Sequence, residues 1–424
     1  MQSVYMETFG CSAAQGESEN ILALLQDAGC EIVEKEGLAD TIIVYFCSVK
    51  GPSENSGLRI IKKVKEQCPH KNIIATGCIS KSIRERLSSL DPLISIVDTH
   101  NLDKIATALK EPGEQFICFS ELNKAALPKL RKNDLVDIIP INSSCSSHCT
   151  FCATKLIKGK LVSYPEEDII TSAKKAIDEG VKEIWITSQD TICYGLDTRK
   201  KPMLPELIKR IASIEGDFMI RIGMMNPKHI PPIIEDIASM FNQKNVYKFL
   251  HIPIQSGNNR ILGLMQRQNT REDVMSIIKH LRVRMPQLTI ATDVICGFPS
   301  ETEEEFSDTL SLLKLIEPDV VNFSRFWPRP GTIAAKMPQH QSKVIKTRSS
   351  DLTNFLVPLL NKRNEVWNGW QGEIMINELG KKGTMVGRNQ SYKPVVVEGN
   401  YPLGKKIMVS IIGSTEYYLI GKET

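Results

Sequence analysis

The stretch Ser144-Cys145-Ser146-Ser147-His148-Cys149-Thr150-Phe151-Cys152 puts three thiols within eight residues, directly after a strand candidate at Asp137 to Ile141. Parallel sheets collect ligands on loops at their carboxyl edge, and this spacing lets one short loop wrap an iron-sulfur cubane. Thiolates are the usual ligands of a four-iron cluster, and three of them leave one iron without a protein ligand. That open iron can chelate the amino and carboxylate groups of S-adenosylmethionine, so that one electron from the cluster breaks the sulfonium bond and releases a 5'-deoxyadenosyl radical. The plainer alternatives are a zinc site and chance clustering of thiols. Structural zinc wants four ligands in paired spacing, and His148 as the fourth would sit awkwardly beside Cys149.

Outward from that loop the pattern is α/β. Strand candidates recur at Asp137 to Ile141, Glu183 to Thr187, Phe218 to Ile222, Lys248 to Ile252, Thr289 to Ile295 and Asp319 to Phe323, with helix-like stretches between them. Six such units over residues 135–361 predict a partial TIM-like (βα)6 barrel. Upstream, over residues 1–111, shorter runs alternate in the same way: Val4 to Phe9 then Ser18 to Ala28, Thr41 to Phe46 then Asn55 to Gln67, Asn72 to Thr76 then Lys81 to Leu90. This is the signature of an open parallel α/β sheet. Residues 112–134 read as a linker, with Leu127-Pro128-Lys129-Leu130-Arg131-Lys132 at its end. Residues 364–424 change character: Gly372 to Ile376, Thr384 to Val386, Lys393 to Glu398 and Lys406 to Ile412 are separated by Gly, Asn and Pro, which predicts a small antiparallel β-barrel. No repeat of solenoid length and no low-complexity tract interrupts these regions.

Composition bounds the function. A chain of 424 residues with 42% hydrophobic and 24% charged side chains has material for two or three cores. No apolar run reaches the roughly 18 to 20 residues a membrane span needs, and Met1-Gln2-Ser3-Val4-Tyr5 is not the start of a secretion signal, so a soluble cytoplasmic protein is expected. A net charge of +4, from 53 basic and 49 acidic residues, is too weak to argue for nucleic acid by itself. Eleven cysteines without a secretion signal favour metal ligation or catalysis over disulfides. Cys11, Cys47 and Cys78 each follow a strand candidate, so in a parallel sheet all three thiols emerge on one edge and could meet at one metal; a packed core thiol is the alternative for each. Cys30 and Cys68 fall on the opposite edge. Cys118, Cys193 and Cys296 lack the pattern and read as core residues.

Several words in the chain resemble a known family: Glu7-Thr8-Phe9-Gly10-Cys11, Thr76-Gly77-Cys78, Thr187-Ser188-Gln189-Asp190-Thr191, Cys296-Gly297-Phe298-Pro299 with Glu301-Thr302-Glu303, and Arg329-Pro330-Gly331-Thr332. With the CxxxCxxC loop they are similar to the radical S-adenosylmethionine methylthiotransferases over nearly the whole chain. Lys129 to Ile141, Ser163-Tyr164-Pro165 and Phe326-Trp327-Pro328 look most like the branch that modifies N6-threonylcarbamoyladenosine at position 37 of tRNA, next to the anticodon. The resemblance implies two four-iron clusters: Cys145, Cys149 and Cys152 match the radical cluster, and Cys11, Cys47 and Cys78 match an auxiliary cluster whose open iron holds the sulfur to be delivered. The sequence departs from the family at Tyr45-Phe46, where Asn-Thr is frequent, at Ser144, where Gly is usual, and at Cys193, where a small residue is usual.

The chemistry implied is difficult. The C2–H bond of an adenine is not acidic and offers no leaving group, so acid-base and nucleophilic routes gain little and a radical is needed. In the family reading one S-adenosylmethionine methylates a sulfur on the auxiliary cluster and a second supplies the radical, while the base leaves its stack in the anticodon loop. An electron donor such as ferredoxin or flavodoxin and a sulfur donor are implied as partners. Polar residues near strand ends, Gln189, Asp190, Gln255, Ser256, Asp293 and Arg325, could line the S-adenosylmethionine pocket, with Phe151 beside the adenine; a rim hydrogen bond without ligand is the alternative for each polar one. Gly387-Arg388-Asn389-Gln390-Ser391-Tyr392-Lys393-Pro394 resembles the TRAM fold, an OB-like RNA-binding barrel. Lys381, Lys382, Arg388, Lys393, Lys405 and Lys406 could form its basic face; seven basic against six acidic residues from Asn364 onward leave that to segregation in space. Two other function classes fit the residues: an iron-sulfur RNA-binding protein without turnover, and a methylthiotransferase for another adenosine or a ribosomal protein residue.

Overall fold

The computed structural model describes residues 2–48 and 51–424. The first body alternates β1 (Ser3–Thr8), α1 (Ser12–Asp27), β2 (Glu31–Ile32), β3 (Thr41–Cys47), α2 (Gly51–Gln67), β4 (Asn72–Cys78), α3 (Lys81–Leu90), β5 (Ser95–Asp98), α4 (Ile105–Ala108) and β6 (Gln115–Phe116). The strands are parallel, in the order β2-β1-β3-β4-β5-β6. Central β3 is buried at all seven positions, as expected of a parallel strand covered on both faces. Its Ile43 and Tyr45 join one core beside Ile21 and Leu25 of α1, and its Ile42, Val44 and Phe46 join the other beside Ile61 of α2 and Ile83 of α3. The edge strand β6 lies beyond residue 111, inside the stretch read as a linker; two residues are too few to register as a strand pattern.

The second body carries the six strands expected, as β7 (Val136–Pro140), β10 (Glu183–Thr187), β11 (Met219–Ile222), β12 (Phe249–His251), β13 (Thr289–Cys296) and β14 (Val320–Arg325), with β8 (Asn142–Ser143) and β9 (Val162–Ser163) as a small antiparallel pair beside the first. Neighbours are parallel within β7-β10-β11 and within β12-β13-β14, and the bridge Ile220↔Val246 spans the junction. The covering helices are α5 (Thr154–Lys158), α6 (Glu166–Asp178), α7 (Leu204–Ala212), α8 (Ile234–Phe241), α9 (Asn259–Leu264), α10 (Arg271–Arg284), α11 (Glu303–Ile316) and α12 (Ser342–Glu365). Strand alternation sends Ile184, Ile186, Ile220, Ile222 and Ile290 into the helix-covered core. The helix starts are written locally. Thr302 Oγ1 accepts from Glu305 N at 3.3 Å while the Glu305 carboxylate accepts from Thr302 N at 2.8 Å, a capping box that begins α11.

The third body is a closed barrel, β15 (Gln371–Leu379), β16 (Thr384–Arg388), β17 (Pro394–Glu398), β18 (Lys406–Ser414) and β19 (Leu419–Glu423), in the order β15-β16-β17-β19-β18. It docks on the amino-terminal end of the central barrel, opposite the cysteine loop. Lys248 N donates to Gln390 O at 2.9 Å. The Tyr392 ring sits 4.7 Å from Tyr247 and 5.1 Å from Phe249, and Glu183 at the start of β10 accepts from Tyr247 and from Asn377, both at 2.9 Å. This corrects the expected basic face. Lys393 is buried on Asp319 at 2.8 Å and Lys406 pairs with Asp217 at 2.6 Å, so these two cations hold the seam, while the Arg388 guanidinium lies 4.8 Å over Tyr392 of its own body. Lys381, Lys382 and Lys405 are exposed. Among the described residues no helix is long and apolar enough to cross a membrane.

Asp319 gathers Lys393, Arg363 and Arg282 and also accepts from Ile290 N at 2.8 Å. Asp319→Ala leaves the Lys393 ammonium buried without its anion and is expected to cost about 3–5 kcal/mol in denaturant unfolding. Burial raises the Asp319 carboxyl, but Lys393 and Arg363 outweigh it and hold it below its ordinary range. Its contribution is therefore full above an unfolded value of about 4 and is lost as pH falls through the lower folded value, so the wild type should lose stability over that acid range and Asp319→Ala should lose less.

Candidate functional site

The CxxxCxxC loop leaves β8 through Ser144, whose φ of +67° explains why glycine suits this position. Here the serine compensates: Oγ donates to Gly159 O at 2.7 Å and N donates to Gln189 Oε1 at 2.8 Å. Farther on, Thr150 N donates to Met265 O at 3.0 Å, Thr150 Oγ1 to Leu264 O at 2.8 Å, and Ala334 N to Thr150 O at 2.9 Å. Phe151 packs with Ile261, Met265, Phe298 and Phe326. The loop is thus clamped by α9 and by the segment after β14. Cys145 Sγ accepts from Ser147 N at 3.3 Å, Cys152 Sγ lies 3.1 Å from Thr154 Oγ1, and the Arg267 guanidinium stands 4.0 Å from Cys149 Sγ. Burial pushes the Cys149 and Cys152 thiols up. His148 is exposed. Among the described residues, the set of three ligating atoms that converges within 4.8 Å is Cys145, Asp190 and Cys193, not the three loop thiols. Thiols spread more widely than that suit a cubane better than one zinc ion.

Cys193 is buried, 2.9 Å from Asp190 Oδ2 and 3.1 Å from Ser146 Oγ, so this core thiol lies beside the loop. Cys296 is buried as expected, whereas Cys118 is exposed, because it lies in the irregular chain after β6 and not under a helix.

In the first body β1, β3 and β4 are adjacent, and Cys47 and Cys78 are register partners at their shared carboxyl edge. Hydrogen bonding with Cys47, then burial, pushes the Cys78 thiol well up. Cys11 is exposed at the start of α1. Ser53 joins the two loops, donating to Phe9 O at 2.7 Å and accepting from Cys47 N at 3.3 Å. Gly77, just before Cys78, has φ of +107°, and a Cβ there would stand 2.6 Å from Phe46 O and 2.7 Å from the Tyr45 ring. Cys30 and Cys68 follow helices, on the opposite edge.

The two sheet edges that carry the cysteine sets meet, with Ser12 Oγ, next to Cys11, 3.3 Å from Thr187 Oγ1 at the end of β10. Arg329 has Glu54, Cys47 and Cys152 as its charge neighbours, although burial is the largest influence on it and brings its guanidinium down. Behind them lies a dry ion network that sequence reasoning missed. Glu17 Oε1 accepts from Lys124 at 2.7 Å and Lys158 at 3.0 Å, and Oε2 accepts from Tyr45 at 2.6 Å and Thr99 at 2.8 Å. Nothing in the local pattern marks these lysines as buried; the signal available was only that Lys158 closes the helix directly after Cys152.

Of the expected pocket residues, Asp190 is wholly buried and accepts from Asn226 N at 3.0 Å, and burial raises its carboxyl. Gln255 sits at φ +67°, its N donating to Asp293 O at 2.8 Å. Asp293 lies 2.8 Å from His251 Nε2 and 3.1 Å from Asn322. Arg325 is exposed at the end of β14, opposite Cys296. Ser256 is buried and engaged with Thr309 Oγ1 at 3.4 Å and Asn258 N at 3.2 Å, between the strands and α11.

Three family models match in series: Radical SAM superfamily over residues 139–313, Uncharacterized protein family UPF0004 over 3–98, and TRAM domain over 369–423. Among solved structures, the radical S-adenosylmethionine methyltransferase TsrM from Kitasatospora setae matches with a TM-score of 0.56 at 12% identity, over 76% of this chain and 73% of that one. The cobalamin-dependent S-adenosylmethionine radical enzyme OxsB matches at 0.55 and 12%, over 84% and 56%. Fold and site define a radical S-adenosylmethionine enzyme, and with it a four-iron cluster and S-adenosylmethionine. A probable threonylcarbamoyladenosine tRNA methylthiotransferase of Pyrococcus horikoshii is 38% identical over 100% of this chain and 99% of that protein; one of Methanothermobacter thermautotrophicus is 34% identical over 98% of each. The human threonylcarbamoyladenosine tRNA methylthiotransferase is 34% identical over 100% of this chain and 74% of its own length. The chain belongs to the threonylcarbamoyladenosine tRNA methylthiotransferase family.

Gly77→Ala forces a side chain into a left-handed, filled position. It is expected to lower unfolding stability by about 1–3 kcal/mol and to raise the reactivity of Cys78 toward a thiol reagent in cluster-free protein, read by mass spectrometry.

Proposed function

We propose that this protein converts N6-threonylcarbamoyladenosine at position 37 of tRNA, next to the anticodon, to its 2-methylthio derivative, using two molecules of S-adenosylmethionine. The observation that carries this reading is the meeting of the two sheet edges that bear three-cysteine sets, Cys11, Cys47 and Cys78 on one and Cys145, Cys149 and Cys152 on the other, joined by Ser12 Oγ at 3.3 Å from Thr187 Oγ1 and by Lys158 on Glu17 at 3.0 Å. The donor sets fit two four-iron clusters: each is thiol only, each comes from loops at a parallel-sheet edge, and each has three members, leaving one open iron. When bound, the first cluster with S-adenosylmethionine supplies the radical, and the second holds the sulfur that is transferred.

The chain's own residues would orient and enclose. Ser144, Thr150 and Phe151 hold the first loop against the barrel rim. Gln189, Asp190, Gln255, Ser256, Asp293 and Arg325 lie on or just after β10, β12, β13 and β14, and we assign S-adenosylmethionine binding to them, Ser256 acting through the turn it caps. Arg329, whose charge neighbours include Cys47 and Cys152, would meet the substrate base. Exposed Trp327, two residues before it, offers a stacking surface of the kind single-stranded RNA uses. Lys381, Lys382 and Lys405 are the cations left to meet phosphates. A low-potential electron donor such as ferredoxin or flavodoxin and a sulfur donor complete the reaction, in the cytoplasm.

Anaerobic reconstitution with iron and labile-sulfide counting tests the site. About eight irons are expected in the wild type and about four in Cys145→Ala/Cys149→Ala/Cys152→Ala; about four and none would remove the second cluster. Incubation of the eight-iron protein with threonylcarbamoylated tRNA, reductant and S-adenosylmethionine should then yield a nucleoside heavier by one methylthio group less one hydrogen. An unchanged nucleoside together with a modified ribosomal protein would replace this substrate by another.

A further inference from the structure

The ion network behind Cys78 is unbalanced. Lys124, Lys158 and Glu17 are 3%, 3% and 4% exposed, so two ammonium groups and one carboxylate share a dry interior and leave one positive charge over. Among the described residues the network has no second anion. Both Glu17 oxygens are filled, each by two donors, and the remaining members, Tyr45 and Thr99, are neutral: Tyr45 donates, and Thr99 Oγ1 accepts from Lys124 at 2.6 Å and Lys158 at 3.0 Å while donating to Glu17. Burial brings the Lys124 ammonium down only to about 8, so it stays charged at neutral pH. Burial also opposes the charge on Lys158, but Cys78 and Glu17 outweigh it. An uncompensated charge in such a place is strongly unfavourable unless an anion stands near.

The missing anion is one step away. Thr99 N donates to Gly77 O at 3.0 Å, and the Tyr45 ring packs where a Gly77 side chain would be, so two members of the network touch the residue before Cys78. Lys158 ends the five-residue helix whose first residue, Thr154, contacts Cys152. One buried cation thus reaches from the loop of one cysteine set to the strand end of the other. We propose that the Glu17–Lys124–Lys158 network is the built-in counter-charge of the cluster on Cys11, Cys47 and Cys78, with Lys158 the positioning residue that sets how readily that cluster accepts an electron. This rests on the two-cluster reading. Three thiolate ligands make such a cluster anionic, and cluster potentials follow local charge and hydrogen bonding to the sulfurs.

The test uses the full chain carrying Cys145→Ala/Cys149→Ala/Cys152→Ala, reconstituted so that one cluster is present, with the midpoint potential read by electron paramagnetic resonance during redox titration. Adding Lys158→Met, which removes a positive charge, should move the potential down. Glu17→Gln, which removes a negative one, should move it up. Lys158→Arg should leave it close to the parent. Opposite shifts from neighbouring substitutions are not what a merely loosened site produces. Should Lys158→Met fail to hold four irons, Lys124→Met makes the same charge change and should also move the potential down. With four irons retained, unchanged potentials or shifts of one sign would overturn the proposal; a parent that holds no iron at all would overturn the two-cluster reading beneath it.

Discussion

A carboxylate on α1 keeps its charge in the interior only because ammonium groups from two other parts of the chain reach it. Lys124 comes from the segment between the first two bodies, and Lys158 from the helix that leaves the CxxxCxxC loop. Removing the carboxylate from such a buried arrangement is more costly than the arrangement is stabilising, because what remains is unpaired positive charge in a dry place. The network therefore acts less as glue than as a constraint on register: the open sheet and the barrel can meet in one relative position if Glu17, Thr99, Lys124 and Lys158 are all to be satisfied. That position sets Ser12, beside Cys11, 3.3 Å from Thr187 at the carboxyl end of β10.

The rest of the site follows from parallel sheets. Both bodies are built from strands whose carboxyl ends lie on one edge, so loops from sequence-distant strands arrive together without any long-range pattern in the chain. In the barrel, the loop after β7 is clamped by the backbone of α9 and of the segment after β14. In the open sheet, Cys47 and Cys78 are held at matched register by ladder hydrogen bonds, and Ser53 ties the Cys11 loop to them. The third body closes the other end. Tyr392 enters the amino-terminal mouth between Tyr247 and Phe249, and Lys393 secures it on Asp319, which leaves the carboxyl rim open to a substrate.

What could be read in the chain was whatever repeats or is locally written. Buried runs such as Thr41 to Cys47, the three thiols of one loop, and cysteines that each end a strand candidate carry their meaning within a few residues. Short edge strands such as Glu31–Ile32 and Gln115–Phe116 do not, since two residues make no period. Lys393 looked like a surface cation and is a buried one, because its partner Asp319 is 74 residues away and no local feature announces it. Lys124 and Lys158 went unread for the same reason. Burial of a charge is decided by tertiary partners, and in this chain those partners come from other bodies.

Two departures from the family pattern show how such tolerance arises. Ser144 holds a left-handed backbone that glycine would adopt freely, and its hydroxyl gains Gly159 O in return, while its amide is received by Gln189. The strain is local, and so is its compensation, so the loop keeps its path. Cys193 fills a position suited to a small side chain without displacing Asp190, since its thiol finds that carboxylate at 2.9 Å and Ser146 at 3.1 Å. A position can vary when a neighbour can absorb the change. Gly77 has no such latitude, because the atoms around it are the backbone of Phe46 and the ring of Tyr45, and both already serve the strand and the ion network that hold Cys78.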